Sequence, residues 1–338
     1  MRIWMLAVIA AVSFAVSALL GRVLIPFLHK LHFGQTILDI GPNWHKKKEG
    51  TPTMGGLMFI GAMAAGITVT VFLGIAFGGT DMNGDIGLLR MKELIAGTVM
   101  AMAFGFVGFI DDYIKVVKKR NLGLSAWGKI ILQVIIIAAY FATMRILGNT
   151  GTGIPFPFIG TLELGWFYYP LMAIAIIYIV NAVNLLDGVD GLCGSVTVVY
   201  AIAFMFIAGT AGYFWQEAYS AALAGALIGF LIYNLHPAKT FMGDTGSMFL
   251  GGSVVALGLS TNRFILILIA GIIYIMDALS VVIQVAYFKA TKGKRLFKMS
   301  PIHHHFELSG WSENKIVIVF SLVTLIGGLI AVALSFGY

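Results

Sequence analysis

Ten apolar runs, beginning near residues 3, 53, 91, 128, 167, 193, 217, 246, 263 and 314, limit what this chain can fold into. Roughly 20 mostly apolar residues cross the hydrocarbon core of a bilayer as a helix. Every backbone polar group there must be satisfied within the protein, a condition that helices meet. Composition agrees, because 59% of the 338 residues are hydrophobic and 11% are charged, against about a quarter charged in ordinary soluble domains. The expected fold is all-α: one polytopic membrane domain over residues 1–338, with about ten transmembrane helices and no soluble domain. The first run, between Arg2 and Leu28, is long for the apolar region of a secretory signal and lacks a clear cleavage site, so it is read as a retained span. The single Cys193 excludes an intrachain disulfide.

Basic residues mark one set of span ends. Lys30, Lys46 to Lys48, Lys115, Lys118 to Arg120, Lys129, Lys239, Lys289 to Lys298 and Lys315 lie near alternate ends, while the opposite ends have only Arg2, Arg90, Lys92, Arg145 and Arg263. The positive-inside rule makes the first set cytoplasmic and places both termini outside. Gly148 to Trp166, with its glycines, prolines and the alternation TLEL, reads as a small outer β-hairpin.

Acidic and amide residues gather at the basic ends. Asn181, Asn184, Asp187 and Asp190 recur every three residues. That spacing drifts by roughly 60° per step on an α-helix, so a continuous helix could not aim all four at one point. Gly188 and Gly191 suggest that the helix ends or loosens there; a polar helix terminus with a turn is the plainer reading. Asp111 and Asp112 follow an uncharged span and precede Lys115 and a KKR run. Adjacent carboxylates at a membrane edge favour a cation, a shared proton or a polar cavity, against the alternative of a helix simply leaving the bilayer. Asp244, within NLHPAKTFMGDTGS, is expected as the N-cap of the eighth span, with Gly243 and Gly246 letting a ligand approach backbone amides at a helix N-terminus. As a cap it would need no function.

Asp277 and Gln284 are seven apart, hence on one helix face turned toward the bundle interior, and Asp277 reads as a structural hydrogen-bonding partner. KATKGKRLFKMS reads as a short amphipathic segment on the membrane surface. His303, His304 and His305 follow it; consecutive side chains point in different directions, so one zinc ion would rarely take all three, and contact with an anion suits them better. Lys46 to Lys48 could hold phosphates or attract anionic lipid.

The collected carboxylates, lysines and histidines occur without a Walker sequence or a dinucleotide fingerprint. They suit magnesium-assisted phosphoryl transfer between a soluble nucleotide-linked substrate and a lipid-borne phosphate. Nothing points to nucleic acid.

Five motifs, in order, resemble those of the polyprenyl-phosphate N-acetylhexosamine-1-phosphate transferases, and within them the phospho-N-acetylmuramoyl-pentapeptide transferases: TPTMGG (51–56), FIDD (109–112), NAVNLLDGVDGL (181–192), PAKTFMGDTGS (237–247) and SPIHHHFE (300–307). The resemblance covers nearly the whole chain. It implies ten spans, a cytoplasmic active site in the bacterial cytoplasmic membrane, Mg2+, and formation of lipid I and UMP from UDP-N-acetylmuramoyl-pentapeptide and undecaprenyl phosphate. It also implies Asp244 as the magnesium ligand, Asp111 and Asp112 as the acidic pair at the lipid phosphate, and His303 among the catalytic groups. Asn181, Asn184, Asp187 and Asp190 would hold the nucleotide, with Phe241 facing the uracil and Gln284 a polar partner. Lys48, Lys115 and Lys129 match phosphate-contacting or supporting positions, Gly243 and Ser247 lie in the Asp244 motif, and His304 and His305 would lie along the pyrophosphate and sugar. A homodimer stays open.

Two other readings remain at this point. A transferase using UDP-N-acetylglucosamine shares the chemistry. A transporter could use intramembrane acids for ion coupling, but would hold them near the midplane and often in repeated halves, whereas these acids sit at span ends.

Overall fold

The computed structural model describes residues 3–30, 50–78, 84–118 and 122–338. Its elements, in order, are α1 (Ile3–Lys30), α2 (Gly56–Phe77), α3 (Asp85–Val117), α4 (Ala126–Ile146), the hairpin β1 (Gly153–Phe156) and β2 (Gly160–Glu163), α5 (Tyr168–Leu185), α6 (Leu192–Thr210), α7 (Phe214–Asn234), α8 (Gly243–Ser260), α9 (Phe264–Ala270), α10 (Ile272–Ala290), α11 (Ile302–Glu307) and α12 (Glu313–Leu334). Among the described residues, eight helices, α1 to α6, α10 and α12, are long and apolar enough to cross a membrane. The two other long helices, α7 and α8, form the middle of the bundle and bury most of their residues. They need less apolar surface because protein, rather than lipid, surrounds them.

Large side chains such as Trp215, Tyr200, Tyr219 and Tyr274 are fully buried, while Ile3, Phe72, Ile146 and Leu329 point outward. Polar bonds tie the central helices together: Tyr219 Oη donates to Ser253 Oγ at 2.8 Å and Tyr200 Oη to the Val254 carbonyl at 3.0 Å. Since lipid is as apolar as the core, close packing and such bonds hold the helices together. Small residues permit that packing where α8 is approached by α3 and α2. A Cβ on Gly108 would fall on the Asp244 carbonyl, and one on Gly56 would meet Gly246 Cα.

The hairpin forms as expected, antiparallel with Gly153 opposite Glu163 and Phe156 opposite Gly160. Phe158 at its tip donates its amide to the Gly337 carbonyl at 2.8 Å. The expected ninth span differs: the run from residue 263 breaks at Gly271 into seven-residue α9 and α10. At the break a Cβ on Gly271 would lie 2.7 Å from the Ile267 carbonyl. α10 alone meets the length and hydropathy of a span.

One end of the bundle collects the C-terminal ends of α3, α5, α7 and α10 and the N-terminal ends of α4, α6, α8 and α12. The polar motifs meet there.

Candidate active site

Helix α8 begins with backbone N–H groups that have no partner inside the helix. Asp112, from the last turns of α3, supplies one: its carboxylate accepts from Asp244 N at 3.2 Å, Thr245 N at 2.9 Å and Thr245 Oγ1 at 2.7 Å. The expectation that Asp244 caps α8 is therefore corrected. Asp244 is the second residue of the helix, after Gly243, and the acid serving its amides comes from a different span. Two of the amides expected to be open to a ligand are thus already occupied. Gly243 has φ +71°, and a Cβ there would press on Asp112 and Thr53, so this junction requires glycine.

Freed from capping, the Asp244 carboxylate turns into a cluster. Lys115 Nζ lies 2.6 Å from Asp111 Oδ2 and 2.9 Å from Asp244 Oδ2. Lys129 Nζ, one turn into α4, lies 3.1 Å from Asp111 Oδ1 and 2.9 Å from Asp244 Oδ2. Asn184 Nδ2 donates to Asp244 Oδ1 at 3.0 Å and to Ser247 Oγ at 2.7 Å. Leu124 N donates to Asp111 Oδ1 at 2.7 Å. The side chains of Asp111 and Asp112 are 1% and 4% exposed and that of Asp244 is 19% exposed, so Asp244 is the most open of the three acids. Lys115 and Lys129 share this mouth.

Oxygens of Asp111, Asp112 and Asp244 lie within 4.8 Å of one another. Three carboxylates against two ammonium groups leave one negative charge over. An all-oxygen donor set with excess negative charge fits a hard divalent cation. Asp187, in the turn between α5 and α6, feels the same field: burial first, then the charges of Asp244, Asp112 and Asp190, hold its carboxyl well above the usual carboxylate range.

The remaining expected residues form a rim. α5 ends at Leu185 and Gly191 takes a left-handed φ of +76° before α6, which redirects the DG segment away from the helix axis. Asn181 is joined to Gln133 of α4, at 2.9 Å, rather than to the carboxylates. Asp190 Oδ2 accepts from Ala238 N at 3.0 Å and lies 3.1 Å from His236 Nδ1; Glu313 accepts from Asp190 N at 3.1 Å. Phe241 is half-buried and exchanges backbone bonds with Pro52 and Gly55.

The three histidines have three different partners. His303 Nδ1 bonds to Asp277, His304 Nδ1 lies 2.6 Å from Glu307, and His305 Nδ1 accepts from Lys298 N at 3.1 Å. Gln284 holds the backbone of Leu296 and Phe297 with both ends of its amide; its bonds here order that loop. Lys48 lies outside the described residues. Sequence reasoning missed Thr245, Gln133, His236 and Glu313; the first and third lie inside motifs already singled out, whereas Gln133, one turn after Lys129 on α4, and Glu313, in the first turn of α12, lie in none.

Residues 94–262 match the family model described as glycosyl transferase family 4, and residues 48–60 match phospho-N-acetylmuramoyl-pentapeptide-transferase signature 1. Among curated proteins named phospho-N-acetylmuramoyl-pentapeptide-transferase, that of Halalkalibacterium halodurans is 43% identical over 324 residues, covering 96% of this chain and 95% of its own. One from Clostridium botulinum is 48% identical over 317 residues, covering 93% and 91%. One from Acetivibrio thermocellus is 46% identical over 333 residues, covering 96% and 94%. With a carboxylate and lysine cluster at one end of a membrane bundle and relatives of this identity over nearly its full length, the chain belongs to the phospho-N-acetylmuramoyl-pentapeptide-transferase family and is a multi-pass membrane transferase.

Proposed function

We propose that the chain transfers phospho-N-acetylmuramoyl-pentapeptide from its UDP donor to undecaprenyl phosphate, giving lipid I and UMP, on the cytoplasmic face of a bacterial membrane with both termini outside. The observation that carries this reading is the meeting of Asp111, Asp112 and Asp244 with Lys115 and Lys129 where the spans end. A phosphate carried on a lipid and a nucleotide from solution can meet only at such a boundary. Asp244, with Asp111 and Asp112 beside it, would hold Mg2+, which when bound neutralises charge on the pyrophosphate oxygens.

The chain's own groups then divide the work. Asp111 takes a proton from, or orients, the lipid phosphate. An oxygen of that phosphate attacks the β-phosphorus of the donor; the new P–O bond forms as the bond to the UMP phosphate breaks, and UMP leaves. Lys115 and Lys129 stabilise negative charge as it shifts toward the leaving phosphate. Asn184 holds Asp244 in place, and the segment from Asp187 to Asp190 borders the nucleotide, with Phe241 beside it. Direct attack needs no phospho-enzyme, and a trapped phospho-aspartate turning over at a competent rate would refute it.

The test is release of UMP by purified protein from UDP-N-acetylmuramoyl-pentapeptide with undecaprenyl phosphate, with and without Mg2+, beside Asp244→Ala. Magnesium-dependent release, lost in the variant, is expected. Release from UDP-N-acetylglucosamine alone would overturn the donor assignment and leave the chemistry standing.

A further inference from the structure

His303 is fully buried and held at three points. Its ring Nδ1 lies 3.0 Å from both oxygens of Asp277, and its backbone N donates to Asp277 Oδ1 at 3.2 Å. Asp277, on α10, is itself fully buried. A carboxylate only accepts, so the proton sits on Nδ1 and the lone pair on Nε2. That Nε2 is buried without a hydrogen-bond partner, a condition that costs stability and that a merely structural histidine would avoid. It faces the DG segment, where a Cβ on Gly188 would collide with it. Gly188 stands one residue from Asp187 and two from Asp190, and its φ is not left-handed. Glycine is needed here for the space it leaves to the imidazole.

We propose that Asp277 is a positioning residue that fixes the His303 tautomer and aims its Nε2, past the bare backbone of Gly188, at an O–H group of the bound substrate. This rests on the transferase reading above. Asp277 contributes through His303 and touches no substrate itself. The pair would accept one proton at Nε2 from a hydroxyl or a protonated phosphate oxygen, with the Asp277 carboxylate offsetting the resulting imidazolium charge.

Two variants and two readouts test it. In protein labelled with 15N-histidine, the His303 resonances, assigned by their loss in His303→Gln, should report the Nδ1–H tautomer and shift in Asp277→Asn. In the UMP-release assay, Asp277→Asn should lower kcat by about 10- to 100-fold, the usual range for a group that orients a ligating or reacting one, with KM for both substrates within about threefold. Gly188→Ala should also lower kcat, by crowding Nε2, while leaving the tautomer signal unchanged. Unaltered kcat in Asp277→Asn overturns the proposal. So does loss of activity and substrate binding together in Asp277→Asn alongside a wild-type Gly188→Ala, because Asp277 would then only pin α10 to α11. If wild-type protein releases no UMP, the transferase reading fails by itself, and the tautomer measurement still decides whether Asp277 sets the imidazole.

Discussion

Asp187 shows how one residue responds to the field of the others. Its folded carboxyl is held above its ordinary value by burial and by three neighbouring acids, so the fold favours its protonated form. The sign follows from linkage: this preference stabilises the protein at low pH and is lost as pH rises toward and through the raised value. In metal-free protein, Asp187→Asn should therefore match the wild type near pH 4 and outlast it thermally at about pH 8, with a gain on the order of 1 kcal/mol. Equal stability at both pH values would mean that neither burial nor the neighbouring acids raise the Asp187 carboxyl. The acidity of this segment could be read from its residues, as could the pairing of Asp111 with Asp112. The actual role of Asp112 could not, because the amides it accepts from lie 132 and 133 residues away, and only the packing of α3 on α8 brings them together.

At the level of elements, apolar run length foretells the long helices because the bilayer imposes one minimum length on every span. It says nothing about which helices are central. That depends on small residues, since a glycine within an apolar run looks the same facing lipid as facing another backbone. Gly108 is the sharper case: it lets α3 ride directly over the Asp244 carbonyl, which sets the distance between the two acidic helices. Gly108→Ala should push α3 from α8, costing about 1 to 3 kcal/mol as overpacking does, and should impair UMP release more than Gly97→Ala, whose Cβ would stand 3.0 Å from Ala256 Cβ away from the cluster. Thermal unfolding in detergent and the release assay measure the two effects separately. Equal activity losses would show that the spacing of the acids is not set at Gly108. The division at Gly271 was hidden for a related reason: one glycine is tolerated inside many helices, and its meaning here comes from the turn it makes, where a Cβ would crowd the Ile267 carbonyl.

Over the described residues, eight helices long and apolar enough to cross a membrane pack around two largely buried ones; the carboxylate and lysine cluster lies at one end of that assembly, and the pair of Arg90 with buried Glu93 at the other. Lys115 and Lys129 reach toward Asp111 and Asp244 from different helices, so the charges of this cluster also join α3, α4 and α8. With one negative charge in excess, the cluster suits a cation. A ligand that binds only the folded state stabilises it by RT ln(1 + [L]/Kd), about 2.7 kcal/mol at 100 times Kd. Mg2+ should therefore raise the apparent melting temperature of detergent-solubilised protein by several degrees, and chelation should reverse the rise. Asp244→Ala should abolish the shift, since it removes the most open of the three acids, whereas Glu313→Gln, at the rim, should retain it. A shift of the same size in Asp244→Ala would place the cation elsewhere, and the lysines would then be the cluster's only counter-charge.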